Sequence, residues 1–72
     1  MIVYQRLKDL REDADKTQEE IAKIIGTSQS YYAQYENGKR AIPFERMVVL
    51  AKYYNVSLDY FAGFIDTPRK LE

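Results

Sequence analysis

Seventy-two residues allow one domain, and a chain that short buries only about 60% of the surface its unfolded form exposes, so its packing must be local and compact. The absence of cysteine and histidine excludes disulfide staples, thiolate zinc sites and the commonest general base. Eleven basic and eleven acidic residues cancel, which excludes a strong non-specific attraction to polyanions.

The charges are nevertheless unevenly placed. Between Asp9 and Glu20 six acids stand against Arg11 and Lys16, whereas Lys39, Arg40, Arg46 and Lys52 later face the single acid Glu45. One face of the molecule can still be positive. The N-terminal stretch carries charge by Arg6 and shows no signal-peptide pattern. The uncharged apolar run Met47 to Ala51 falls far below the roughly 20 residues that cross a bilayer. A cytoplasmic address without a membrane partner is expected. The triplet Asn55-Val56-Ser57 matches a glycosylation sequon but has no secretory context.

Apolar residues recur with helical rather than alternating spacing, no segment repeats, and five short helices fit. The first spans about Val3 to Ala14, with Val3, Leu7, Leu10 and Ala14 on one side and Asp15 as a left-handed stop. Thr17 followed by Glu20 forms a capping box that opens the second helix, in which Ile21, Ile24 and Ile25 make an apolar edge. Gly26 ends it, since glycine enters the left-handed region freely. Ser28 caps a third helix that runs to about Asn37, with Gly38 just beyond. After the basic loop Lys39-Arg40-Ala41, Pro43 suits the first turn of a fourth helix carrying Phe44, Met47, Val48, Ala51 and Tyr54, which Asn55 ends. Ser57 caps a last helix from Leu58 to about Ala62, and the remainder reads as a tail. The expected fold is all-α, with a core of Leu7, Leu10, Ile21, Ile25, Tyr35, Val48, Leu50 or Ala51, and Leu58.

Gly26-Thr27-Ser28 is a connection short enough to fix the third helix steeply across the second, and Ala22 is small where the two would cross. On a wheel of the third helix, Gln29, Ser30, Ala33, Gln34 and Asn37 fall within an arc of about 140°, with Tyr32 and Tyr35 on the far side. A polar arc without Glu or Lys suits the reading of base edges: glutamine can bond adenine N6 and N7 together, and serine can serve several bases. The competing reading is a solvated face in an ordinary helical bundle.

The stretch TQEEIAKIIGTSQSYYAQYENGKR resembles the helix-turn-helix of the lambdoid Cro and repressor family, the xenobiotic-response-element type. Gln18 stands at the motif's start, Ala22 at its small fifth position and Gly26 at its ninth, with Ile21, Ile25, Thr27, Tyr32 and Tyr35 at the positions that are usually apolar. The ENGKR ending and the later LAKYYNVSLDYFAG are also similar to this family, so the likeness runs from about Tyr4 to Gly63. Asp15 departs from it, standing where glycine is usual.

The resemblance implies a lambda-repressor-like DNA-binding domain over residues 1–63 and a tail over 64–72 that can serve dimer contact. It implies sequence-specific binding of double-stranded DNA by a transcriptional regulator of the repressor kind, reading the major groove with its third helix. Gln29, Ser30 and Gln34 then face base edges, with Tyr31 and Ala33 as further candidate contacts. Gln18 and Asn37 bind phosphates at either end of the motif, joined by Thr17, Lys39 and Arg40. Gln18 opens a helix, where free amides attract an anion. Arg11 and Glu36 form a structural ion pair; the alternative is an exposed arginine worth about 0–1 kcal/mol in any pair. Asp9, Glu12 and Asp13 have helical spacing but no histidine partner and read as a solvated face, not a metal site. A palindromic operator and a homodimer are expected, with Tyr60, Phe61, Phe64 and Ile65 as the self-association surface and one or two of them, Phe61 first, filling the monomer core. The alternative function is a protein-interaction module such as the antitoxin of a toxin–antitoxin pair. Enzymatic activity, a cofactor and a small-molecule ligand are not expected.

Overall fold

The chain closes three of its helices by one local device, visible in the computed structural model, which describes residues 3–62. Asp15, Gly26 and Asn55 take left-handed backbone angles, with φ of 56°, 76° and 58°. Behind each, the next residue's N–H reaches back five positions: Lys16 to the Arg11 carbonyl at 3.1 Å, Thr27 to Ala22 at 2.9 Å and Val56 to Ala51 at 2.9 Å. These bonds satisfy carbonyls that the helix ends would otherwise leave unpaired.

The helices are α1 (Val3–Asp13), α2 (Gln18–Ile25), α3 (Gln29–Glu36), α4 (Phe44–Tyr54) and α5 (Leu58–Ala62). No strand occurs among the described residues, as the apolar spacing requires. None of the helices is long and apolar enough to cross a membrane. Thr17 and Glu20 form the expected capping box: the Glu20 N–H donates to Thr17 Oγ1 at 3.1 Å and the Thr17 N–H to Glu20 Oε1 at 2.9 Å. That backbone donor holds the Glu20 carboxyl below the usual carboxylate range. Ser28 caps α3 through its side chain, accepting from the Tyr31 N–H at 3.2 Å. Pro43 differs from expectation by one position. Its ψ of 149° is extended, so it is the residue before α4 rather than part of its first turn.

α2 packs chiefly on α3; α1 lies against α3 and α5, and α4 against α5 and α2. The center is filled by Leu7, Ile21, Tyr32, Tyr35, Leu50 and Phe61, with Ala22, Ile25, Ala51, Val56 and Tyr60 around them. Leu10 and Leu58, expected inside, are half-buried and pack on this core from its edge. Val48 is half-buried outside it, and Phe44 is 64% exposed. The inward stripe of α4 is instead Met47, Leu50, Ala51 and Tyr54, at i, i+3, i+4 and i+7.

Candidate nucleic-acid interface

α3 divides its residues as the wheel requires. Tyr32 and Tyr35 are fully buried, their rings edge-to-face at 6.3 Å. Gln29, Ser30 and Asn37 are exposed, and Ala33 and Gln34 are half-buried on the same side. Tyr31, at the border of the arc, is exposed and meets Tyr35 edge-to-face at 5.7 Å. The buried tyrosines fix the rotation of α3, so its uncharged polar side must face outward.

The turn after α3 folds back on the helix. Asn37 caps it, donating its N–H to the Ala33 carbonyl at 3.0 Å, and its Oδ1 accepts the Lys39 N–H at 3.0 Å. The Arg40 N–H donates to the Gln34 carbonyl at 3.2 Å, Arg40 Nε donates to Gln34 Oε1 at 3.3 Å, and the guanidinium lies 4.6 Å above the Tyr31 ring. Lys39 and Arg40 are both exposed. The positive end of the interface is thereby held against the polar face.

At the other end, Gln18 lies at the start of α2, where Thr17 is exposed and engaged in the capping box. Gln18 Nε2 donates to Glu36 Oε1 at 3.1 Å. Glu36 takes two further bonds from Arg11, Nε to Oε2 at 2.6 Å and Nη2 to Oε1 at 3.1 Å, while Arg11 Nη1 donates to the Lys16 carbonyl at 2.9 Å. The pair is bidentate and inward, with side-chain exposures of 14% for Arg11 and 4% for Glu36. Burial pushes the Glu36 carboxyl up, but the hydrogen bonds from Arg11 and its neighbors outweigh it and hold the group below the usual carboxylate range. Burial pushes the nearby phenols of Tyr32 and Tyr54 upward, so both stay neutral.

Between α1 and α3 lies an open cleft of about 420 Å³, lined by Tyr4, Gln5, Lys8, Arg11, Gln18, Ala33, Glu36 and Asn37. It brings Gln18 and Asn37, separated by 19 positions in sequence, to one surface with the ion pair in its wall. It also adds Lys8, which the sequence reading did not single out. The available signal was helical phase: Tyr4, Lys8 and Arg11 stand at i, i+4 and i+7 on α1.

Of the residues considered for self-association, Tyr60 and Phe61 are buried in the monomer, at 9% and 0% exposure. Arg6 stacks over the Tyr60 ring at 4.0 Å. Neither ring contributes to an exposed patch, because the short α5 turns both against the core. Phe64 and Ile65 lie outside the described residues.

A helix-turn-helix family model matches residues 7–61. Among curated proteins, the chain is 41% identical over 64 residues to the uncharacterized HTH-type transcriptional regulator YobD of Bacillus subtilis, covering 89% of this chain and 57% of that protein. It is 38% identical over 53 residues to the cryptic phage CTXphi transcriptional repressor RstR of Vibrio cholerae, covering 74% and 48%. It is 34% identical over 56 residues to the antitoxin PezA of Streptococcus pneumoniae, covering 78% and 35%. The chain thus spans about half the length, or less, of these relatives.

Proposed function

Because the chain belongs to the helix-turn-helix family of the lambdoid Cro and repressor type, we propose that it binds double-stranded DNA sequence-specifically and regulates transcription as a repressor in the cytoplasm. The observation that carries this reading is the outward side of α3: Gln29, Ser30 and Gln34 without a charged residue among them, flanked by Gln18 at one end and Lys39 and Arg40 at the other. A surface made to hold a protein partner would present large apolar anchors there. Short amides and hydroxyls suit base edges instead.

In this reading α3 enters the major groove, and Gln29, Ser30 and Gln34 contact bases, with Tyr31 and Ala33 beside them. Gln18, Thr17, Asn37, Lys39 and Arg40 face phosphates, and the cleft adds Lys8 to that set. Glu36 acts behind Gln18. A carboxylate accepts but cannot donate, so Gln18 must turn its Nε2 toward it, and one N–H remains to meet a phosphate oxygen. The operator is palindromic and is read by two copies of the chain.

Selection of bound duplexes from a random pool tests this. A single recurring half-site, repeated in inverted order, is the expected result; a pool that stays random after repeated rounds overturns it. On the selected site, Gln29→Ala should cost about 1–3 kcal/mol and little on random DNA. Equal losses on both would remove Gln29 from base reading. The antitoxin alternative rests on the likeness to PezA, which reaches only 35% of that protein, and it retains the same DNA-facing surface.

A further inference from the structure

Gln34 and Arg40 are not independent. A guanidinium carries five N–H donors and no acceptor, so the Gln34 atom it meets must be the carbonyl oxygen. Arg40 Nε donates to that oxygen at 3.3 Å. Two further contacts hold Arg40 where it can do so: its backbone N–H on the Gln34 carbonyl at 3.2 Å, and its guanidinium over the Tyr31 ring at 4.6 Å. The Gln34 amide therefore has a set polarity: Arg40 takes one lone pair of its oxygen and places a cation beside it that disfavors a second donor such as adenine N6, and the amino group, two donors, is left for a ligand.

That polarity changes what Gln34 can read. Paired recognition of adenine uses both ends of the amide: the oxygen accepts from N6 while the amino group donates to N7. Guanine presents two acceptors, N7 and O6, to the same groove. We infer that Arg40 is a positioning residue for base specificity, which holds Gln34 as a donor and turns the base it reads from adenine to guanine. The inference rests on the proposal that α3 reads bases, and it gives Arg40 a task separate from neutralizing a phosphate. A lysine at the end of a flexible stem would lack the planar stacking on Tyr31 that sets this geometry.

The test is duplex selection from a random pool, run in parallel on the unaltered chain, Gln34→Ala, Arg40→Ala, Lys39→Ala and the double variant Gln34→Ala with Arg40→Ala. The unaltered chain should favor guanine at one half-site position, and Gln34→Ala should erase the preference there and nowhere else. Arg40→Ala should move that position from guanine toward adenine, a change on the order of tenfold in relative enrichment. The double variant should show no preference there. Lys39→Ala should weaken binding to all duplexes and leave the base unchanged. If Gln34→Ala erases a preference but Arg40→Ala lowers all affinities evenly without moving it, the inference is overturned and base reading by Gln34 stands. If Gln34→Ala changes no position, base reading by Gln34 fails and the inference with it.

Discussion

Glu36 is the residue on which fold and surface meet. It is a buried carboxylate that accepts from Arg11 on one side and from Gln18 on the other. Removing one member of a buried pair leaves the other charge uncompensated, a loss of about 3–5 kcal/mol, whereas a surface contact changes stability within about 0.5 kcal/mol. Glu36→Ala should therefore lower stability by several kcal/mol in chemical unfolding; a loss under about 0.5 kcal/mol would place the pair among surface contacts. The pair also has a pH signature. The folded chain holds Glu36 below the usual carboxylate range, so the unfolded chain takes up the proton first as pH falls. The stability from charged Glu36 is complete above the ordinary value, near 4.3, and is lost as pH drops through the folded value. The stability gap between the unaltered chain and Glu36→Gln should narrow between pH 7 and about pH 3. A constant gap would show that this carboxyl is not the titrating group.

At the scale of the element, the connection between α2 and α3 depends on a left-handed residue. A β-carbon at Gly26 would have no atom within 4 Å beyond its immediate chain neighbors. Substitution there carries backbone strain alone, and Gly26→Ala should cost about 1–2 kcal/mol in thermal unfolding. A larger loss would mean that the turn itself shifts. Asp15 sits at φ of 56° where glycine carries no such strain, so Asp15→Gly should raise stability by up to about 1 kcal/mol, offset in part by the greater freedom of the unfolded chain. Such ends were legible in the sequence because a cap is decided within five residues: Thr17, Gly26, Ser28 and Asn55 each carry their instruction locally. The inward face of α4 was not. Phe44, Met47, Val48, Ala51 and Tyr54 fit one arc of about 120°, but Val49, Leu50 and Tyr53 make α4 apolar on its other sides too, and only the packing of α5 and α2 against α4 separates buried Leu50 from exposed Phe44. The outward polar arc of α3 was readable because Tyr32 and Tyr35 fix its phase. The bonds from Arg40 to Gln34 and from Gln18 to Glu36 were not, since they depend on how a turn folds back and how two helices cross.

At the scale of the whole chain, net charge zero would make the sequence-independent part of the proposed DNA affinity weak, so each cation at that surface would count. Lys39→Ala should reduce the slope of log affinity against log salt by about 0.9, the release of one phosphate's counterion; an unchanged slope would take Lys39 off the backbone. Burial of Tyr60 and Phe61 narrows the proposed self-association surface to Phe64 and Ile65. On the proposed reading by two copies, sedimentation of Phe64→Ser on a palindromic duplex should show one copy bound instead of two. If two copies still assemble with unchanged affinity, the contact lies elsewhere.

The eight residues of α3 rise about 12 Å, the height of three or four base pairs. Four positions in a four-letter alphabet single out about one stretch in 250, against roughly 10⁶–10⁹ competing sites in a genome. A lone copy would meet thousands of addresses it cannot tell apart. Two copies at a fixed separation multiply their odds, to about one in 65,000, and the separation is itself a further letter. On the proposed reading by two copies, the short helix thus moves part of the message out of the bases and into the distance between them.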